Sequence, residues 1–181
     1  MGSVIEIPQT LANCDNNGGI EKSYGTLASN ITAATIGSDG EITGFTMSST
    51  GLWSLLGFND DQNTASFNQE GAQNGSSIEF TQTATFQFNG INQAKIKAAN
   101  NAKACCAVVL VHFHYDGTVT VQGIEVDNSG NWALTKDNAR IVPSANSGTA
   151  DENNLLIYTV NSVSRYLAPT CTLTDSALEA L

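Results

Sequence analysis

Residues 76–90 read SSIEFTQTATFQFNG, and their alternation decides the fold class. Ile78, Phe80, Ala84, Phe86 and Phe88 fall on one parity, while Glu79, Thr81, Thr83, Thr85 and Gln87 fall on the other. Side chains alternate across a strand, so the pattern predicts one long strand with a buried face and a Thr-rich polar face. That polar face either meets water or lines a wet channel.

Outward from this strand, the period changes after Gly90. Ile91, Ala94, Ala98 and Ala102 recur at three- and four-residue spacing in an Ala/Lys/Gln-rich stretch, which predicts a helix over 91–104. Its small apolar face suits close packing on a sheet, with Lys95 and Lys103 toward solvent. Ala107–Tyr115 is a continuous apolar run, Asp116-Gly117 is a hairpin turn, and Thr118–Val126 returns. Trp132–Val142 and Leu155–Tyr166 read as further strands, separated by a polar loop over Ser144–Asn154.

Upstream, Ser38-Asp39-Gly40 turns into a strand over Glu41–Met47. Leu52–Phe58 is strongly apolar, and Asn59–Thr64 is a polar loop before Ala65–Glu70. Turn signals every ten residues or so are the spacing of a sandwich or barrel. The expected organisation is therefore mainly β: a β-sandwich or half-open barrel with one packed helix. Residues 1–18 form an N-terminal arm, 19–169 the β domain with its long loop, and 170–181 a C-terminal tail.

Composition narrows the function. Of 181 residues only 13% are charged, against about 25% in an average soluble protein. The polar surface is Asn, Gln, Ser, Thr and Gly, which carries little like-charge repulsion and suits packing against copies of the same chain. The net charge is −10, and the only cations are Lys22, Lys95, Lys97, Lys103, Lys136, Arg140 and Arg165. A protein that grips phosphates needs a basic face, so adhesive binding of nucleic acid is not expected. An acidic wall lets a strand slide past instead. No stretch approaches the ~20 apolar residues of a membrane span, so no membrane partner is expected. No signal peptide is visible, and Cys14, Cys105, Cys106 and Cys171 read as reduced thiols, with a Cys14–Cys171 bridge as the alternative.

Chemistry-bearing motifs are weak. His112-Phe113-His114 places two imidazoles on one side of a strand, but a metal needs a third ligand and the chain has no other histidine. The preferred reading has Val109, Val111, Phe113 and Tyr115 facing the core and both histidines facing out. Cys105-Cys106 lacks the two-residue gap of a redox or zinc motif, and no Gly-x-Ser-x-Gly elbow is present. No catalytic, cofactor or metal site is expected.

The order of features carries a resemblance. Gly18-Gly19-Ile20-Glu21-Lys22-Ser23-Tyr24 is followed by Asp39-Gly40-Glu41-Ile42-Thr43-Gly44-Phe45-Thr46-Met47 and Ala65–Glu70. Then come the long Phe80–Phe88 strand, the Ala/Lys helix, Val108–Phe113, Asp116-Gly117 and Val121-Gln122-Gly123-Ile124-Glu125-Val126. Over about Gly18 to Pro169 this resembles the tail tube (major tail) proteins of long-tailed bacteriophages. The resemblance implies a virion tail protein, assembled in the bacterial cytoplasm, whose six copies close into rings that stack into a conduit for DNA ejection. Glu79, Thr81, Thr83, Thr85 and Gln87 would then face the lumen, a polar strand face free of basic residues. Val4, Ile5 and Ile7 of the arm, and Leu52, Trp53, Leu55, Leu56 and Phe58 of the loop, would be core or subunit and ring interface. The tail after Pro169 would order on assembly. Implied partners are the chain itself, other tail proteins at the tube ends, a sheath where the tail contracts, and viral DNA in passage. Two other readings compete: a head decoration or fibre protein, and a carbohydrate-binding module stacking sugars on Trp53, Trp132, Tyr115 and Tyr158.

Overall fold

The computed structural model describes residues 19–57, 65–104, 107–146 and 154–181. Val4, Ile5, Ile7, Cys14, Phe58, the Asn59–Thr64 loop, Cys105, Cys106 and most of the Ser144–Asn154 loop lie outside them. The protein is mainly β, with antiparallel sheets and two short helices. Among the described residues twelve strands run in order: β1 Ile20–Leu27, β2 Ile31–Ile36, β3 Ile42–Met47, β4 Ser54–Leu55, β5 Ala65–Asn74, β6 Ser77–Asn89, β7 Val108–His114, β8 Val119–Gln122, β9 Ile124–Val126, β10 Trp132–Leu134, β11 Asp137–Asn146 and β12 Leu155–Ser164. The helices are α1 Gln93–Ala104 and α2 Asp175–Glu179.

Two four-stranded antiparallel sheets form the frame, β4-β1-β7-β8 and β11-β12-β6-β5. Phe86, Ala84, Ala65, Leu110, Ile20, Ala139 and Val160 fill the space between them. On the other side of β1 and β7 lies a second core, of Tyr24, Ile42, Phe45, Trp53, Val109, Val111, Val121, Ile124, Cys171 and Leu178 among others. The β2–β3 hairpin, the β9–β10 pair and the C-terminal residues contribute to it. β7 is therefore covered on both faces, and this is why Ala107–Tyr115 shows no alternation: an inner strand with apolar layers on each side reads as a continuous apolar run.

This layering overturns the expectation that both histidines face out. His112 is fully buried and His114 half-buried, because the side of β7 opposite Val109 and Val111 faces the inter-sheet core rather than water. The expected C-terminal tail is likewise part of the body. Pro169–Thr172 runs between β8 and β3: Val121 N donates to Pro169 O (3.0 Å), Cys171 N to Val119 O (2.9 Å) and Ile42 N to Thr170 O (2.8 Å). It joins the central sheet to the β2–β3 hairpin. α2 follows, with Thr174 as its N-cap. It buries Leu178 and is tied to β1 by Lys22–Asp175 (2.6 Å) and by the Tyr24 hydroxyl donating to Glu179 (2.8 Å). Cys171 is a buried free thiol.

Strand limits shift where glycine or packing dictates. The predicted return strand over Thr118–Val126 is split by Gly123, at φ +94°, where a Cβ would sit 2.6 Å from the Val108 carbonyl oxygen. Only glycine has both the free φ and the missing Cβ this site requires, so Gly123→Ala should cost about 1–3 kcal/mol, read as a lowered thermal midpoint. The predicted strand Trp132–Val142 divides between two sheets: β10 pairs with β9 and β11 with β12. Helix α1 lies against β11, but Ala94 is exposed. Lys95 folds back instead of extending into solvent, its Nζ donating to the carbonyls of Asn89 and, at 3.2 Å, Gly90.

Candidate functional site: the open sheet face and the polar seam beneath it

The parity read from Ser76–Gly90 is realised in β6. Gln82, Ala84 and Phe86 are buried, while Thr83, Thr85 and Gln87 on the opposite face are partly exposed and Thr81 is exposed. Ile78 breaks the pattern and is 58% exposed, because β6 there runs beyond the last β12 residue that pairs with it, Ser164 opposite Phe80.

Register places neighbouring side chains beside this polar face. β5 contributes Ser66 opposite Thr85, Asn68 opposite Thr83 and Glu70 opposite Thr81. β12 contributes Thr159 opposite Thr85 and Asn161 opposite Thr83, and Asn161 Oδ1 accepts from Thr83 Oγ1 at 3.0 Å. The face is thus a field of hydroxyls and amides three strands wide. It is less uniform than the single strand implied. Ile157 and Val163 come in from β12, and Val142, 54% exposed, from β11. The face is also not free of cations. Arg140 on β11 sits in one row with Asn161 and Thr83, and Lys136 Nζ reaches Glu79 at 2.6 Å. That hydrogen bond and the carboxylate charge hold the Lys136 ammonium above its ordinary range.

The proposed interface residues separate. Trp53 is buried in the core of its own chain, its ring 5.2 Å from Phe45. The cluster on that side of the central sheet has room for an indole. Leu56 packs against the inter-sheet core, and Leu52 lines with it an apolar cleft of about 410 Å³ beside Leu27, Val108 and Ile141. Leu55, 54% exposed on the two-residue β4, is the one among the described members of the set that stays on the surface. The sugar-stacking set does not converge, since Tyr158 packs on Phe88 (4.9 Å) and Trp53 is enclosed.

Beneath the open face, between the sheets, lies a polar seam that periodicity did not reveal. Gln122 Nε2 donates to the carbonyl oxygens of Val160 (2.9 Å) and Gln82 (3.1 Å). Its Oε1 therefore faces His112 Nε2 at 3.3 Å and accepts from it. That fixes the imidazole tautomer: Nδ1 is the acceptor, and Ser23 Oγ donates to it at 2.9 Å. Ser162 Oγ donates to Gln82 Oε1 at 3.1 Å. Phe67 and Phe86 flank the ring at 4.8 and 5.9 Å, and burial pushes His112 down to about 3. His114 Nε2 lies 2.8 Å from Thr120 Oγ1, and burial lowers its pKa too. One signal was present in the sequence: Gln82 occupies the apolar parity of its strand.

A bonded Ser–His pair has the form of an activated nucleophile, but both partners are fully buried. Neither residue lines the 410 Å³ cleft, nor the cleft of about 610 Å³ between Gly37–Gly40 and Asp127–Gly130, nor the one of about 510 Å³ beside Val119 and Leu173. Together with Gln122 the pair forms one hydrogen-bonded network that links β1, β7 and β8 to the Gln82 carbonyl of β6 and the Val160 carbonyl of β12. Among the described residues no helix is long and apolar enough to cross a membrane.

Fold and site together define an antiparallel β-protein with two stacked sheets, a polar outer sheet face and a hydrogen-bonded seam under it. Compared with known proteins, the chain matches no family model, no curated protein and no solved structure.

Proposed function

We propose that this chain is a structural virion protein, the tail tube subunit of a long-tailed bacteriophage, which polymerises into stacked hexameric rings around a DNA-sized lumen. The observation that carries the reading is the outer face of β5, β6 and β12, a contiguous hydroxyl and amide surface on a sheet whose two ends, β5 and β11, pair with nothing further among the described residues. A wall of this chemistry gives phosphates little to hold, and screening confines its repulsion to about 8 Å at physiological salt. DNA passes it without sticking. Other tail proteins would cap the tube, and a sheath would surround it in a contractile tail. The enclosure of Trp53 and the packing of Tyr158 on Phe88 favour this reading over a sugar-binding module, which needs exposed ring faces.

Negative-stain electron microscopy of the purified protein, fresh and after concentration, tests it. Rings or hollow tubes wide enough for duplex DNA are expected. A monomer that binds preformed heads or an immobilised glycan would replace the reading with one of its competitors. Within tubes, Thr83→Lys and Thr85→Lys should leave assembly intact and slow genome delivery. Failure to assemble would place those side chains at a subunit joint.

A further inference from the structure

Five of the chain's seven cations stand on α1, on β11 or directly before it: Lys95, Lys97 and Lys103, then Arg140, then Lys136. α1 lies against β11, so what the molecule offers an anion it offers mostly on this side. Lys95 Nζ is bonded to the Asn89 and Gly90 carbonyls, and Lys136 lies 2.6 Å from Glu79. Arg140 is the one cation carried by a strand of the β11-β12-β6-β5 sheet. It is exposed and has no ion-pair partner among the described residues.

Register sets Arg140 in a row with Asn161, Thr83 and Asn68, one residue from each strand of that sheet. Arg140, Asn161 and Asn68 are exposed. Thr83 Oγ1 donates to Asn161 Oδ1 at 3.0 Å, which leaves Asn161 the hydrogens of Nδ2 to offer elsewhere. Neighbours in the row stand about 4.8 Å apart, and none is aromatic or apolar. Arginine, asparagine and threonine are side chains that meet phosphate and sugar oxygens, whereas a protein partner calls for aromatic and apolar anchors. The next row on one side ends in Val142 and is uncharged. The next on the other side holds the exposed carboxylates of Glu70 and Asp137. Those carboxylates repel a phosphate chain and confine its contact to the Arg140 row.

We propose that duplex DNA moving along this face is touched at the Arg140 row, with one phosphate contact per copy. Arg140 is the charged donor, Asn161 and Asn68 are neutral donors, and Thr83 positions Asn161. The inference rests on the proposed passage of DNA past this face and deepens it: the wall holds the duplex at one weak point per copy rather than at none. A single guanidinium beside acidic neighbours makes a contact that forms and breaks easily, which guides a duplex without arresting it. Glu79, by taking up Lys136, keeps a second contact from forming.

Titration of a fluorescently labelled short duplex with the full-length protein at low salt, read as anisotropy, tests this. Each phosphate contact contributes about −0.9 to the slope of log affinity against log salt. Arg140→Gln should therefore move the wild-type slope by about 0.9 toward zero, and Arg140→Lys should keep it. Glu79→Gln, which releases Lys136, should steepen the slope by about the same amount. Asn161→Ala should weaken binding at every salt concentration with the slope unchanged. Circular dichroism should not distinguish Arg140→Gln from wild type, since the side chain is exposed. No duplex binding up to the highest concentration reached, or equal slopes for wild type and Arg140→Gln, would overturn the row while leaving the tube reading to microscopy. Arg140-dependent duplex binding by a protein that forms neither rings nor tubes would support the row and overturn the tube. Poly-glutamate bound as tightly as the duplex, with the same dependence on Arg140, would overturn DNA as the occupant.

Discussion

Gln122→Leu is expected to destabilise the protein by about 3 kcal/mol, although leucine is more apolar, close in size and placed in a fully buried site. On apolar transfer alone the change should help. It removes, however, the amide that donates to the Val160 and Gln82 carbonyls and accepts from His112 Nε2. A buried polar group left without its partner costs about 1–3 kcal/mol, and at least the imidazole N–H is orphaned inside a fully buried seam. Urea unfolding of the two proteins decides the matter through the midpoint at unchanged slope. An equal or higher midpoint for the leucine variant would mean that the seam is not held by this amide. Gln122→Glu is the companion variant. It keeps the shape and the acceptor but loses the donor, and should fall on the destabilised side as well.

The second large effect is a loss of stability in mild acid. His112 titrates near 6.5 in the unfolded chain and near 3 in the fold, chiefly because burial disfavours the imidazolium. The groups facing it are Ser23 from β1, Phe67 from β5, Phe86 from β6 and Gln122 from β8, with His114 6.4 Å away on its own strand; Gln82 and Ser162 stand behind Gln122 in the same seam. None of these is a carboxylate that would steady the charge. Below pH 6.5 the unfolded state therefore binds a proton that the folded state refuses. Stability is fully present above pH 6.5 and falls by up to about 1.4 kcal/mol per unit as pH drops toward 3. Urea midpoints between pH 7 and 5, where most carboxylates remain ionised, should show this slope. His112→Gln should flatten it, leaving the smaller part due to half-buried His114. Parallel slopes in the two proteins would show that His112 is not the group being titrated.

How much of this was legible beforehand differs from element to element. Ser76–Gly90 announced β6 and its two faces because a strand with one wet face imprints its period on the sequence. Asp116-Gly117 announced the β7–β8 turn. There Asp116 Oδ1 accepts from Thr118 N at 2.9 Å, and Gly117 adopts φ +83°. Glu79, Thr81, Thr83, Thr85 and Gln87 were correctly grouped on one face, since parity is a local property. Arg140 was not added to them, because its place beside Thr83 depends on β11 pairing with β12 and β12 with β6. Trp53 gave no sign of whether it met its own core or a neighbour's, as an apolar run looks the same in both.

The sequence by itself determined the β class, the turns, the long two-faced strand and the scarcity of charge, all of which follow from interactions among near neighbours in the chain. Tertiary structure alone decided that β7 is sandwiched between two cores, which turned His112 from a surface residue into the centre of a buried seam. It alone made Pro169–Thr172 and Leu178 part of the body rather than a tail. Those outcomes depend on which layers stack and which edges meet, and the partners stand far apart in the chain, as with His112 and Ser23, |i−j| = 89, or Tyr24 and Glu179, |i−j| = 155. No local periodicity records a contact at that separation.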